Sequence, residues 1–178
     1  MAGVLEGRRR ILIIGSSGAG KSTLARALGQ AAGLPVVHLD KLWWLPGWQN
    51  RSKEEFDALL GEELEKDAWI IDGNYDRTLE TRLRRADCVI RLAPPRLTCV
   101  AGVLGRIWRN RGRTRPDMGE GCPERVDWAF LRWVWHFPEE EGARAQRILA
   151  RWPQVPVITL RSRRAANKLL REVRNGHI

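Results

Sequence analysis

The stretch that most constrains this fold is "GSSGAGKS", Gly15 to Ser22, set directly behind the apolar run Ile11-Leu12-Ile13-Ile14. Three glycines in so short a span weaken a helix or a strand. Such backbone freedom serves either a tight reversal of the chain or a loop whose amides converge on one anion. The flanks separate the two readings. A strand-length run comes before the glycines, and Leu24, Ala27, Leu28 and Ala31 follow at helical spacing. G-x-x-x-x-G-K-S between a buried strand and a helix start is the context required of a phosphate-binding loop. The rival dinucleotide fingerprint fails on spacing, because Gly15, Gly18 and Gly20 read GxxGxG.

In such a loop Gly15, Ser16, Ser17, Gly18, Ala19 and Gly20 present backbone N–H groups to phosphate, helped by the positive end of the helix. Lys21 then bridges the β- and γ-phosphates of ATP, Ser22 gives its hydroxyl to Mg²⁺, and Thr23 stands at the α-phosphate.

Alternating strand-length and helix-like stretches predict βαβ units and a mostly parallel sheet. Strands are expected at 10–14, 36–39, 69–71, 88–92 and 155–160. Helices are expected at 21–32, after a Ser52/Glu55 capping box, at about 96–111 and at the C-terminal end. Gly33 offers a left-handed helix stop. With 178 residues, 43% of them hydrophobic, one domain over 1–178 is expected. No apolar stretch reaches membrane-spanning length and no signal-peptide core follows Arg8-Arg9-Arg10, so a soluble, cytoplasmic protein is expected. Cys88, Cys99 and Cys122 lack metal-ligand spacing and read as reduced packing thiols.

Ligands of open α/β sheets bind beyond the carboxyl ends of the strands, so acids there carry the most weight. Asp72 closes Trp69-Ile70-Ile71 and suits a Mg²⁺ site beside Ser22, or else a plain Asp-Gly turn. Asp40 closes "VVHLD" and suits the hydroxyl of a phosphoryl acceptor, as orienter or base, or else a helix cap. His38 reads as a packed strand residue rather than a base. Trp43, Trp44 and Trp48 either wall an acceptor pocket against water or form a satellite cluster. Trp128, Leu131 and Trp135, at helical spacing, are expected in the core. Tyr75, Arg77 and Arg82, near Asp72, are candidate acceptor contacts.

The formal net charge of +10 attracts polyanions, a nucleotide or nucleic acid alike, although a genome-wide preference for arginine yields the same count. Arg106, Arg109, Arg111, Arg113 and Arg115 lead into "NRGRTRPDMGEGC", which lacks apolar periodicity and reads as a surface loop. A loop of that length serves as a lid or stays disordered. Its arginines would neutralise a phosphoryl group in flight, or else make a solvated or nucleic-acid-binding surface.

Taken together, "IIGSSGAGKSTLARAL", "HLDKLWWLPGW", "WIIDGNY", "TLETRLRRADCVI", "RGRTRPDMGEGCPE" and "LRSRRAANKLL" resemble the DNA topology modulation protein family, a group similar to adenylate kinase among the P-loop kinases. The resemblance covers nearly the whole chain. It implies a three-layer P-loop NTPase fold with a parallel five-stranded sheet in the order 2-3-1-4-5, a lid within 110–136, ATP and Mg²⁺, and adenine held partly by the segment after the fifth strand. It makes Asp72 the acid of the D-G segment, Arg106 and Arg109 the ATP-side arginines, and Arg113 and Arg115 lid residues. Adenylate kinases follow their D-G with an aromatic, proline and arginine, whereas Asn74-Tyr75 stand here, so the acceptor need not be AMP. The family name implies an influence on DNA supercoiling, but no groove-reading signature is present. The expected function is phosphoryl transfer from ATP to a small-molecule or nucleotide acceptor. The alternatives are a nucleotide-switched DNA-associated protein and a plain ATPase.

Overall fold

A computed structural model describes residues 5–175. Its centre is a strand whose side chains are buried on both faces: β1 (Arg10–Gly15), with Ile11, Leu12, Ile13 and Ile14 each 2% exposed or less. Burial of each such side chain stabilises the fold by roughly 1.5–3 kcal/mol. Only a position inside a parallel sheet covered by helices on both sides can accept a run of this kind. The remaining strands are β2 (Val36–His38), β3 (Trp69–Asp72), β4 (Cys88–Leu92) and β5 (Val157–Leu160). All pairings in this sheet are parallel and the order is β2-β3-β1-β4-β5, the order that the resemblance implied.

Alternation along the strands sorts the core into two layers. Ile11, Ile13, Ile70 and Ile90 meet α1 (Lys21–Ala32) through Leu24 and Leu28, α5 (Arg96–Arg109) through Val103 and Ile107, and α8 (Arg163–Arg174) through Leu169 and Val173. Leu12, Ile14, Trp69, Ile71 and Val89 face the other way. They meet α3 (Lys53–Leu64) through Phe56, Leu60 and Leu64, α4 (Leu79–Leu83), and α7 (Glu141–Ala150) through Ile148 and Leu149. Gly33 caps α1 in the left-handed conformation (φ 67°), and Ser52 with Glu55 forms the expected capping box at α3.

Three local expectations are corrected. β2 ends at His38, and Leu39 to Trp43 form a short helix, α2, so Asp40 sits in a helical first turn rather than at a strand end. Residues 155–156 precede β5 instead of opening it. In α6 (Trp128–His136) the seam against α5 is Leu131 and Val134, flanked by Phe130 and Trp133. Trp128 therefore points away from the core and is 79% exposed, and Trp135 is 40% exposed.

The three cysteines are free and buried. Burial pushes the Cys88 thiol up to about 12, as suits an inert packing residue. No helix among the described residues is long and apolar enough to cross a membrane.

Candidate active site

A cleft of about 1120 Å³ opens beyond the carboxyl ends of the strands. Its floor is the glycine loop. Gly18 and Gly20 take positive φ (76° and 97°), and Gly20 is the N-cap of α1, without a side-chain cap. Ser17 to Thr23 line the cleft, so the first amides of α1 are left to it. Lys21 Nζ donates to the Ser16 carbonyl at 3.1 Å, curled over its own loop. Burial pulls the Lys21 ammonium below its ordinary value, with Asp72 and Asp40 opposing.

Two contacts that sequence reasoning did not single out hold this loop. Asn74 clamps Gly15: its Oδ1 accepts from the Gly15 N–H and its Nδ2 donates to the Gly15 carbonyl, both at 2.8 Å. On the other side the loop lies against the backbone of α5. A Cβ on Gly18 would collide with the Cys99 carbonyl, and one on Gly102 with the Gly18 carbonyl. Gly102 carried no local signal, because its role exists only once α5 packs on the loop.

Asp72, 5% exposed, ends β3 facing Lys21's surroundings. Its Oδ2 lies 2.9 Å from His38 Nδ1, while Oδ1 is buried without a hydrogen-bond partner. Asp40 accepts from the Tyr75 hydroxyl at 2.8 Å. Desolvation raises the Asp40 carboxyl, the Tyr75 hydrogen bond lowers it, and Asp72 raises it again. Tyr75 holds a left-handed backbone (φ 41°), which costs a non-glycine residue free energy. Its ring packs on Phe56 and Trp43, with centroids at 5.2 and 5.9 Å. Trp43, Trp44 and Trp48 line the cleft and also pack on aromatic neighbours, as a satellite cluster would.

Residues 110–127 are far from a free surface loop. Bridges Arg111↔Glu124 and Thr114↔Pro123 tie the segment to itself, and Arg115, Asp117, Met118, Cys122 and Glu124 are buried. Glu124 pairs with Arg106 Nε at 3.0 Å and with Arg115. Burial lowers the Arg106 guanidinium from its usual value, and Arg115 adds to the effect. The segment is stitched to the hairpin Trp44–Leu45/Gln49–Asn50 that carries the tryptophans. Gly47 N–H donates to the Gly121 carbonyl at 2.9 Å, Trp48 Nε1 to the Pro123 carbonyl at 3.2 Å, and Cys122 Sγ to the Leu45 carbonyl at 3.2 Å. Gly119 lies so close to the Trp44 carbonyl that a Cβ would not fit.

Lys21, Asp40, Asp72, Tyr75, Arg106, Arg109 and Arg115 thus line one cleft, together with Ser162, Arg163 and Asn167 at the start of α8. Gly15 and Ser16 lie behind its lining, and two more distant candidates, Arg113 and Arg82, fall outside it. Arg113 is exposed on the outer turn, where its backbone carbonyl accepts from Glu124. Arg82 is fully buried and is no acceptor contact. Its guanidinium is spent on the carbonyls of Gly73, Asn74, Tyr75 and Thr78, and burial pulls it down to about 10. It braces the turn that presents Asn74 and Tyr75.

No family model matches this sequence, and neither does any curated protein. Solved structures do match. Shikimate kinase from Acinetobacter baumannii, in complex with shikimate, is 16% identical over 97% of this chain and 94% of that chain, with a TM-score of 0.58. Shikimate kinase from Bacteroides thetaiotaomicron is 17% identical over 95% and 98%, with a TM-score of 0.56. With its glycine loop, sheet order and cleft, the chain has the three-layer α/β fold of the P-loop kinases.

Proposed function

We propose that this protein is an adenylate-kinase-like phosphotransferase that moves the γ-phosphoryl group of ATP to a small-molecule or nucleotide acceptor. One observation carries the reading: the glycine loop with Lys21 and the Asp40–Tyr75 pair face the same continuous cleft, so donor and acceptor can meet without an intermediate carrier. Structural likeness to two shikimate kinases supports a kinase scaffold without naming the acceptor. The sequence segments quoted above support membership of the topology modulation proteins.

The cleft-lining amides of Ser17 to Thr23 hold the triphosphate, while the Gly15 N–H stays with Asn74, and Lys21 leaves the Ser16 carbonyl to contact its β- and γ-oxygens. Arg106 and Arg115 face the transferring group, and Arg109 with the start of α8 takes the nucleoside end. Asp40 accepts the proton of the acceptor hydroxyl, held in place by Tyr75 and walled by Trp43 and Trp44. Ser22 and Asp72 fit Mg²⁺, since Asp72 Oδ1 is a buried oxygen in want of a partner. When bound, that ion neutralises phosphate oxygens. Residues 110–127 act as the lid, within a single domain.

The test is ADP release measured across a panel of nucleoside monophosphates and small hydroxylated compounds. Release should rise far above background with one acceptor class. Hydrolysis indifferent to every acceptor would leave a plain ATPase. DNA affinity that falls steeply with salt and survives in Lys21→Ala would replace the kinase with a DNA-associated protein.

A further inference from the structure

His38 is the N-cap residue of α2, yet its side chain does not cap that helix. Side chains favoured at such a position offer an oxygen to the first helix amides, and an imidazole has none. The ring is used elsewhere. β2 and β3 run parallel with His38 directly opposite Asp72, so the two side chains leave the sheet on one face. His38 Nδ1 lies 2.9 Å from Asp72 Oδ2, and both residues are buried. An ionised carboxylate only accepts, so Nδ1 carries the shared proton. The turn into α2 is seated on the same spot, because a Cβ on Gly73 would stand 2.8 Å from that of Leu39.

That hydrogen bond makes the two carboxylate oxygens unequal. Oδ2 belongs to the imidazole, whereas Oδ1 is buried without a hydrogen-bond partner. Asp72 lines the cleft, as does Ser22 of the glycine loop, and His38 stands behind that lining. The ring therefore acts on a bound ion only through the carboxylate. Resting on the reading of the cleft as a metal-nucleotide site, we propose that His38 is a positioning residue of that site: by engaging Oδ2 it fixes the rotation of the Asp72 carboxylate and reserves Oδ1 for the divalent ion. Partners of this kind behind a metal ligand are typically worth about 10–100-fold in metal affinity.

Mn²⁺ titration of the full chain with a non-hydrolysable ATP analogue, followed by electron paramagnetic resonance of the free ion, reads this directly. Tryptophan fluorescence in EDTA reads metal-free nucleotide affinity in parallel. His38→Phe, which keeps a ring and loses the donor, should weaken Mn²⁺ by about 10-fold or more and leave metal-free nucleotide binding unchanged. His38→Asn returns an N–H near the place of Nδ1 and should restore most of the affinity. In an Asp72→Asn background, His38→Phe should cost nothing further. His38→Leu repeats the test should the larger ring disturb folding. Unchanged Mn²⁺ affinity in His38→Phe and His38→Leu, an equal loss in His38→Asn, an equal loss of metal-free nucleotide binding, or a full further loss in the Asp72→Asn background overturns the role of His38 alone. Wild-type protein that binds Mn²⁺ no better with the nucleotide than without it overturns the metal-nucleotide reading itself.

Discussion

The glycine loop and the 110–127 segment meet over the same cleft and are held in opposite ways. The loop is fixed by backbone, through the Asn74 clamp on Gly15 and the seating of Gly18 against α5. The segment is fixed by charge: Glu124 between Arg106 and Arg115, and Asp117 between Arg115 and Arg26. A site held by backbone is preorganised and changes little when it fills. One held by ion pairs can exchange partners, since Arg106 and Arg115 can leave carboxylates for phosphates of the same charge.

The contrast can be broken or sharpened at five positions. Lys21→Ala should cost the most, on the order of 10²–10³ in kcat with little change in thermal stability, read from initial rates with the identified acceptor. Next comes Glu124→Gln. Removing the 5%-exposed acid strands two guanidinium groups, so stability should fall by ~3 kcal/mol in urea melts while trypsin cuts faster between 109 and 125. Gly102→Ala follows. Helix propensity alone would favour alanine by up to ~1 kcal/mol, but its Cβ meets the Gly18 carbonyl. A net loss of about 1–2 kcal/mol is therefore expected, with weaker ATP binding; a stabilised protein would show that the loop is not seated on α5.

Tyr75→Phe should be milder and is best read as a pH profile. As the proposed base, Asp40 would work ionised; its carboxyl is raised by desolvation, and the Tyr75 hydroxyl lowers it. Removing that hydroxyl raises it further, so the acidic limb of kcat/KM should move to higher pH. A limb that stays in place would exclude Asp40 as the titrating base. Smallest of all, Trp128→Ser, on the 79%-exposed face of α6, should stay within about 0.5 kcal/mol of the parent.

Features coded by neighbours in the chain were legible in the sequence. The glycine loop, the Gly33 stop, the Ser52/Glu55 box and the strands read directly, because each depends on a few adjacent residues. What escaped depends on distant partners. Arg82 resembles a surface ligand until the turn 73–78 wraps its carbonyls around it. "VVHL" reads as one strand because nothing local marks where α2 begins. α7 hides because only Ala145, Ile148 and Leu149 among its residues are buried. Asp117 and Glu124 stand in an arginine-rich, aperiodic stretch, where only the folded chain shows which charges pair.

The stitching of residues 119–123 to the tryptophan hairpin has a kinetic corollary. With residues 110–127 as the proposed lid, a roof and a side wall fastened together would share one hinge event, so spent nucleotide and modified product would leave by a common door. Their off-rates should then rise and fall in step whenever that seam is loosened.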